Sequence, residues 1–568
     1  MYAIEKIKKE IIKQLNDILG SKILKVDNLV YPPQAGFGDL SLPCFELAKE
    51  IKKSPVEVAN DLLSEIASLE GINWGANTVG PYLNFKLNIQ ELAKEVFKNG
   101  NKMEETYGYV KIGKKKRVMI EYSNVNTHKQ YHVGHLRNIC YGDSVTRILT
   151  ANGYETIPVS YINDFGIHVA KTLWAYLEFY KDIEIPKNKG YFLGQIYVRS
   201  VEEMEKNPLA KDMVSFMMKK IESRKGKEYK LWQKTRKWSI EQFDKIYKEL
   251  GVKFEAIFYE NDFMKEGMDM VEALYKKRLL TKSDGAIIAD LEEYGLNVLM
   301  FLRSDGTAMY PVADLPLARR KFDKYKLDAS IYVVDIRQSL YFKQLFKVLE
   351  KLGYKQEMVH LGHDYVKLPS GMMSSRSGTV ITYEELSEEV FNKAALETRS
   401  RHSEWSDKKV NEVATAIKNG AIKFEMIKSG ADQVISFDIN QALRFDGYTA
   451  AYLQYTYARM NSIVKKSESN KYKIDCNVLK EKEEHSLILK ISKYPEAVIS
   501  AGKNYNPSEI VRYAQELARD FNDYYHKIPI LKAEDEKLIG ARLELLKAVK
   551  QTVKNSLELL GIDVVEEM

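Results

Sequence analysis

Two histidines flank a glycine in the segment His132-Val133-Gly134-His135. An apolar run at 118–120 comes before them and an apolar pattern with helical spacing follows them, which predicts a turn between a strand and a helix. A helix N-terminus has unpaired N–H groups and a partial positive charge, so phosphate binds there readily. Imidazoles beside it can donate hydrogen bonds to phosphate oxygens, and Gly134 lets a flat ring approach the backbone. The turn is therefore a candidate site for nucleotide phosphates.

The same four-letter pattern occurs a second time, at 360–363. Pro369 and Gly371 follow it closely, and both argue against a helix that starts there. We predict that the second copy ends a strand and leads into a loop. Only the first copy has the strand-to-helix context that phosphate binding requires.

Periodicity divides the chain into three regions. Residues 1–100 combine helix patterns with strand-like segments, which predicts an α+β domain. Over 112–410, short apolar strands alternate with helices, which predicts an α/β domain with a parallel sheet and a helical insertion at about 180–260. Residues 411–568 have a helical pattern almost throughout, which predicts an all-α bundle. The candidate strands of the sheet are 117–122, 155–162, 331–335 and 357–361.

Composition narrows the possible classes of protein. Lys and Arg total 86 against 79 Asp and Glu, and the net charge of +7 is compatible with a nucleic-acid partner without requiring one. The three scattered cysteines, Cys44, Cys140 and Cys476, indicate neither a disulfide framework nor a structural zinc site. No apolar run approaches the roughly 20 residues that cross a bilayer. The first residues have the pattern of an amphipathic helix rather than a signal peptide, so we expect a soluble, cytoplasmic protein. We also expect a monomer.

The turn at 132–135 and its lead-in resemble the HIGH signature of the class I aminoacyl-tRNA synthetases. The resemblance implies a Rossmann-like catalytic domain with a parallel sheet for 112–410. It assigns His132, Gly134 and His135 to ATP, with the two histidines also acting in catalysis. It implies Mg²⁺ bound with ATP and held mostly by phosphates and water, with no metal held by the protein.

A second candidate for phosphate binding is the segment at 371–378, which contains glycines and hydroxyl groups suited to wrapping a triphosphate. It stands where the same family has its KMSKS loop. The resemblance assigns four of its residues to ATP: Met373, Ser374, Ser375 and Arg376. It also assigns Ser374 to catalysis. The match is incomplete, because Met372 replaces the first lysine of the loop. In the arginine-specific synthetases, a lysine three residues before the first HIGH histidine is thought to supply the missing charge, and Lys129 stands at that position.

An arginine pocket gives a second test of this resemblance. A guanidinium is planar, always charged and rich in donors, so a selective pocket must offer carboxylates and other acceptors. The family draws such residues from three segments, which here supply Glu121, Asn126, Tyr310, Asp314 and Gln338. The resemblance implies that Asp314 pairs with the guanidinium, that Tyr310 forms the pocket wall and that Asn126 lies near the α-amino group. For Gln338, a shift of one residue onto Arg337 stays open.

Both flanking regions resemble RNA-binding domains of the same family. The segment at 448–460 is similar to the start of its anticodon-binding bundle, where Tyr455, Tyr457 and Arg459 are candidates to stack on anticodon bases. Tyrosines at helical spacing are, however, more often core residues. The segments 36–49 and 80–85 resemble the N-terminal domain that is thought to contact the outer corner of tRNA.

The resemblance implies an enzyme that activates L-arginine with ATP and transfers it to the 2′-hydroxyl of tRNA(Arg), with tRNA needed for the activation step. Two alternatives stay open at this point. One is a synthetase for cysteine, glutamate or glutamine, although the scattered cysteines disfavour the first. The other is an inactive relative that only binds tRNA; the departures at 371–378 favour it, whereas His132, His135 and Lys129 argue against it.

Overall fold

The structure is a computed structural model, and it describes residues 1–367, 381–468, 472–533 and 535–568. The predicted ATP contacts at Met373, Ser374, Ser375 and Arg376 lie outside the described residues.

The N-terminal domain packs helices against a three-stranded antiparallel sheet of order β1-β3-β2. Its elements are α1 (Ala3–Leu19), β1 (Leu40–Pro43), α2 (Phe45–Ile51), α3 (Pro55–Ile66), β2 (Trp74–Val79), β3 (Tyr82–Leu87) and α4 (Ile89–Met103). Local signals place the helix ends. For example, α3 begins at a capping box between Ser54 and Glu57, with Pro55 in the first turn.

The central region is built on a five-stranded parallel sheet of order β11-β10-β4-β5-β6. These strands are β4 (Arg117–Glu121), β5 (Glu155–Ile162), β6 (Ala256–Tyr259), β10 (Ala329–Asp335) and β11 (Glu357–His363). The predicted parallel sheet is confirmed, and the second HxGH segment does end a strand, β11. From β4 the chain runs outward to β6 and then returns to the other side of β4 for β10. The strand order therefore reverses beside β4, and open α/β sheets bind ligands in the crevice at the carboxyl ends of the strands at such a point.

Helices cover both faces of this sheet. They are α5 (Val133–Ala151), α6 (Ile167–Phe179), α10 (Met264–Lys276), α11 (Pro311–Tyr325) and α12 (Ser339–Lys351). Side chains alternate along β4: Val118 and Ile120 pack in a core with α5, whereas Met119 packs on the other face with residues of α11 and α12. Burial on both faces explains why these strands read as nearly continuous apolar runs.

The predicted helical insertion lies between α6 and β6. It consists of α7 (Lys189–Lys206), α8 (Ala210–Glu222) and α9 (Gly226–Glu249). It has a core of its own, in which Trp232 and Trp238 are buried. A small antiparallel sheet follows α10, formed by β7 (Thr281–Ser283), β8 (Ala286–Asp290) and β9 (Val298–Leu302).

The rest of the chain is mainly helical. It comprises β12 (Val366–Lys367), α13 (Tyr383–Arg401), α14 (Asp407–Ile427), β13 (Ile435–Ser436), α15 (Ile439–Ala442), α16 (Ala450–Ser467), α17 (Lys482–Ser492), α18 (Tyr494–Lys503), α19 (Ser508–Lys527) and α20 (Glu536–Leu559). Helices α14, α18 and α20 pack on α5, so the C-terminal bundle supports the helix that follows the first HxGH turn. In the part of the chain that the structure describes, no helix combines the length and apolar character needed to cross a membrane.

Candidate active site

The first HxGH turn caps the N-terminus of α5. His132 is the N-cap residue, with an extended backbone, and His135 is the third residue of the helix. The Gly134 N–H donates to His132 Nδ1 at 3.2 Å, and the His132 N–H donates to His135 Nδ1 at 3.1 Å. The two histidines thus form a reciprocal capping box, a role that Ser or Thr and Glu usually have. The box fixes both rings at the positive end of the helix.

These hydrogen bonds also determine which ring nitrogens carry protons. Each Nδ1 accepts a hydrogen bond, so in a neutral imidazole the proton lies on Nε2. Burial, assisted by the charge of Lys129, lowers the pKa of His132 to about 4. Burial and the neighbouring His132 hold the pKa of His135 well below its ordinary value. Both rings are therefore neutral at pH 7, and each can donate from Nε2 to a phosphate oxygen.

Lys129 lies beside the two histidines. After burial, its charge is a further cause of the lowered pKa of both His132 and His135. The Lys129 Nζ also lies 5.2 Å from the centre of the Tyr197 ring in α7. A cation and two neutral donors are thus grouped at one helix N-terminus.

The insertion holds the segment that carries Lys129. His128 is fully buried and has a left-handed backbone, with φ of 60°. Its ring bonds to the Thr235 hydroxyl of α9 at 2.7 Å, and its N–H donates to the Ser239 hydroxyl at 3.0 Å. The position of Lys129 therefore depends on α9, far along the sequence.

Asp314 lies in the first turn of α11 at the same edge of the sheet as the ends of β4 and β5. Its Oδ2 accepts a hydrogen bond from the Tyr341 hydroxyl of α12. Burial raises the pKa of Asp314 to about 6, although hydrogen bonds from Tyr341 and from Tyr161 at the end of β5 act to lower it. The groups that bond to Asp314 are neutral phenols, so its negative charge is left for a cationic ligand.

Glu121, the last residue of β4, is engaged within the protein. Its Oε2 pairs with Lys321 Nζ of α11, and the two side chains are 4% and 1% exposed. Its Oε1 accepts a hydrogen bond from Asn124 Nδ2 at 3.0 Å. Glu121, which was predicted to contact arginine, is thus one partner of a buried ion pair.

The other predicted arginine contacts are more exposed. Asn126 is partly buried and forms a parallel bridge with the segment that follows β5. Tyr310, the predicted pocket wall, is 67% exposed. Gln338 is exposed at the start of α12, just beyond β10. Its neighbour Arg337 pairs with Asp335 at 2.6 Å, which favours Gln338 as the candidate for a substrate contact.

Three family models match successive parts of the chain. They are the arginyl tRNA synthetase N terminal domain at residues 5–87, the catalytic domain of tRNA synthetases class I (R) at 99–438 and the DALR anticodon binding domain at 453–568. The chain belongs to the class I arginyl-tRNA synthetase family. This membership sets aside a synthetase for cysteine, glutamate or glutamine.

Members of the arginyl-tRNA synthetase family match the chain along nearly its whole length. The arginine–tRNA ligase of Bdellovibrio bacteriovorus is 36% identical over 552 residues, which are 95% of this chain and 94% of that relative. The arginine–tRNA ligase of Clostridium acetobutylicum is 34% identical over 565 residues, covering 99% and 100%. Among solved structures, the arginyl-tRNA synthetase of Thermus thermophilus is similar with a TM-score of 0.80 at 25% identity, covering 98% and 99%.

The candidate anticodon contacts of this family member differ in exposure. Tyr457 is 4% exposed and belongs to the core of the bundle, which corrects the prediction that its ring is free to stack on a base. Tyr455 and Arg459 are only partly buried, and the Arg459 guanidinium lies 4.8 Å from the centre of the Tyr455 ring. The Tyr525 ring of α19 lies 5.8 Å away on the same guanidinium and is 37% exposed. Tyr455, Arg459 and Tyr525 therefore form a small surface of aromatic rings and positive charge.

Sequence reasoning missed several groups beside the expected arginine pocket. Tyr161, Tyr341 and Lys321 are the partners of the carboxylates, and Glu260 follows β6 at the same edge of the sheet. Burial raises the pKa of Glu260 to about 7, although its hydrogen bond from Asn163 acts to lower it. Two signals were available: Glu260 comes directly after a strand, near the position that Glu121 has at the end of β4, and Lys321 follows Asp314 by two helical turns.

Proposed function

We propose that the chain is an arginine–tRNA ligase, which forms arginyl-adenylate and diphosphate from L-arginine and ATP and then transfers arginine to the terminal ribose of tRNA(Arg). The observation that carries this proposal is the arrangement at the carboxyl edge of the sheet. A capped pair of neutral histidines with Lys129 beside it suits phosphates, and the carboxylate of Asp314, whose hydrogen bonds come from phenols, suits a guanidinium. Membership of the arginyl-tRNA synthetase family supports the same reaction.

The activation step needs little covalent chemistry from the protein. The arginine carboxylate attacks the α-phosphate of ATP, a P–O bond to it forms, and diphosphate leaves with the electron pair of the broken P–O bond. The protein has to hold the reacting groups in line and stabilise charge on the departing phosphates. His132 and His135 would donate from Nε2 to phosphate oxygens, and Lys129 would offset the negative charge of the diphosphate. Gly134 would sit against adenine, since it has no Cβ.

Selectivity for arginine would come from Asp314. Its Oδ2 is oriented by the Tyr341 hydroxyl, so its remaining acceptor capacity can meet the planar fork of a guanidinium. Lysine or ornithine would leave such acceptors unpaired, and mismatches of this kind reduce the specificity constant by roughly 10⁴-fold. Asn126 would lie near the α-amino group and Gln338 would line the far side of the pocket. Tyr310 would close over the pocket when substrate binds, and Glu121 would border it.

Mg²⁺ would enter with ATP. Among the described residues, no group of three or more His, Cys, Asp or Glu side chains is placed to hold a metal ion. An ion held by phosphate oxygens and water would offset phosphate charge. Met373, Ser374, Ser375 and Arg376 stay proposed ATP contacts on the ground of sequence, with Ser374 acting in catalysis.

For tRNA, the proposed anticodon contacts are Tyr455 and Arg459, and the N-terminal domain would contact the outer corner of the molecule. Stacking of an unpaired base on such a surface does not depend strongly on base identity. We further propose that the protein is cytoplasmic and acts as a monomer. Light scattering of the purified full chain would test the oligomeric state.

The test of function is ATP–diphosphate exchange by the full chain, with and without tRNA(Arg), and with arginine or lysine as the amino acid. We expect exchange with arginine but not with lysine. We also expect arginyl-tRNA to form when tRNA(Arg) is present. Exchange with lysine at a similar rate would contradict the pocket assignment. Binding of tRNA without any exchange or aminoacylation would instead favour an inactive tRNA-binding relative.

A further inference from the structure

Lys321 is a buried cation beside the proposed arginine pocket. It follows Asp314 on α11 by two helical turns, so the two side chains leave the same face of the helix. Its Nζ pairs with Glu121 Oε2 at the end of β4. The ring centres of Tyr332 and Phe258 lie 5.0 Å and 5.7 Å from that Nζ. The ammonium is thus held by one carboxylate and two aromatic faces.

The Lys321 ammonium is charged despite its burial. Burial works to lower the pKa of Lys321. The charge of Glu121, the nearby Tyr332, the hydrogen bond to Glu121 and the charge of Asp314 outweigh burial and raise the pKa. A buried charge is tolerated only when it is paired. Glu121 in turn has both oxygens engaged, because Asn124 donates to the other one. The ion pair is therefore complete within the protein.

The charges of Glu121, Asp314 and Lys321 together match one guanidinium. Glu121 and Asp314 each carry one negative charge and Lys321 carries one positive charge. These three groups together leave a single negative charge, and Asp314, which bonds to phenols, is where it lies. Arginine brings one positive charge, so its binding would make the group neutral.

We infer that Lys321 is a positioning residue of the arginine site: it neutralises and orients Glu121, so that Asp314 presents the only unpaired charge of the three groups to the substrate guanidinium. This role rests on the proposed arginine ligase function. Without the ammonium, Glu121 and Asp314 would be two like charges in a buried site, and such a pair takes up a shared proton at higher pH. Arginine would then have to displace that proton in order to bind.

The other titratable groups near these three are phenols and one carboxyl. They are Tyr161 on β5, Tyr332 on β10, Tyr341 on α12 and Glu260 after β6. Burial raises the pKa of the three tyrosines, so they stay neutral through the physiological range. Burial raises the pKa of Glu260 to about 7, so this carboxyl titrates in the wild type and in every variant. Each variant is therefore compared with the wild type, in which Glu260 also titrates.

The test measures arginine binding to the full chain by isothermal titration calorimetry, from about pH 5.5 to about pH 8.5, in two buffers of different ionisation enthalpy. The buffers report how many protons arginine releases when it binds. For Lys321→Met, we expect binding to weaken with falling pH from a point at least about one pH unit higher than in the wild type. We also expect more protons to be released at neutral pH.

Matched variants separate the charge of Lys321 from its packing. Adding Glu121→Gln to Lys321→Met removes the like charge, so the pH profile should return toward that of the wild type. Lys321→Arg keeps the charge and should keep the profile. Lys324→Met alters an exposed lysine of the same helix and should change neither binding nor proton release.

A Lys321→Met protein with the wild-type profile would overturn the inference, because the ammonium would then serve only the stability of the fold. If thermal unfolding shows that this variant does not fold, Lys321→Gln takes its place, since it keeps a donor for Glu121 without the charge. We expect the same shift of the pH profile of arginine binding for Lys321→Gln. An unshifted profile for this variant would likewise overturn the inference. A wild type without arginine-dependent exchange would contradict the proposed function itself, whereas an active wild type with unshifted variants would contradict only the role of Lys321.

Discussion

The imidazole rings of His132 and His135 are stacked, with 3.8 Å between their centres and 24° between their planes. Two charged imidazoles would repel each other at this distance, but burial keeps both rings neutral, as their lowered pKa values show. Each Nδ1 is used inside the capping box, so the stack presents two Nε2–H donors. The hydrogen bonds that cap the helix therefore also leave the two Nε2–H groups available to donate to phosphate.

Asparagine at either position separates capping from donation. An Asn side chain places an acceptor where Nδ1 lies and is itself a good N-cap, but it does not reach the position of Nε2. We expect His132→Asn and His135→Asn each to reduce the rate of ATP–diphosphate exchange by about 10²-fold, the contribution typical of one preorganised donor. Their thermal unfolding temperatures should stay within a few degrees of the wild type.

The control for these variants is His526→Asn, which changes an exposed histidine of α19. It should leave exchange unaffected. Exchange at the wild-type rate in both turn variants would show that the two imidazoles cap the helix and do nothing further for ATP.

Lys129→Ala removes the cation beside the histidines. We expect the rate of exchange to fall by about 10²-fold, because a preorganised charge stabilises a transition state about as much as one donor of an oxyanion hole does. Lys129 packs near the Tyr197 ring at the surface of the insertion, so its loss should change the free energy of unfolding by less than about 1 kcal/mol. The removal of a charge near both rings should also let their pKa values rise, which nuclear magnetic resonance of labelled histidines would detect.

Lys355→Ala is the matched control, because this exposed lysine precedes β11 at the opposite edge of the sheet. It should behave as the wild type in exchange. Equal losses in the two lysine variants would indicate a general effect of net charge, and an unaffected Lys129→Ala would remove this residue from the ATP site.

Asp314→Asn replaces the proposed guanidinium ligand by a neutral group of the same shape. The KM for arginine should increase by roughly 10- to 100-fold, the range that corresponds to a charge-assisted hydrogen bond. The KM for ATP should stay within about twofold of the wild type, because the site of the phosphates is untouched. Asp323→Asn, on the exposed face of the same helix, should leave both constants unchanged. Equal increases in both constants for Asp314→Asn would contradict its assignment to the arginine pocket.

Local patterns were sufficient to predict four strands of the sheet and the turn at its centre, but not β6, which falls within the bounds predicted for the helical insertion. The strand before Glu121 is a buried apolar run, and the helix after His132 has its own cap, so each can be recognised from a few neighbouring residues. Which strands pair could not be read in this way. The pairing of β10 with β4 determines the strand order, and it joins segments more than 200 residues apart.

The partners of the site residues depend on contacts that sequence spacing does not encode. Glu121 and Lys321 are 200 positions apart, and nothing local couples them. Tyr455 and Tyr457 lie on different faces of α16, and spacing indicates which residues share a face without indicating which face meets the core. For the same reason, the sequence did not indicate that Tyr310 is exposed.

Arginine binding should weaken as the pH falls. Burial raises the pKa of Asp314 to about 6, so the empty site holds a carboxylate above that pH and a neutral carboxyl below it. A guanidinium requires the carboxylate, and the dissociation constant for arginine should therefore increase by about tenfold per pH unit below the pKa. His132, with a pKa of about 4, stays neutral throughout this range and contributes nothing to the slope.

Calorimetry of Asp314→Asn identifies the group responsible. Asparagine cannot titrate, so this variant should bind weakly at every pH and lose the dependence around pH 6. Glu260, whose pKa burial raises to about 7, is the other carboxyl that could respond in this range. If Asp314→Asn keeps the full dependence and Glu260→Gln abolishes it, the cation is governed by Glu260 and the assignment of Asp314 is wrong.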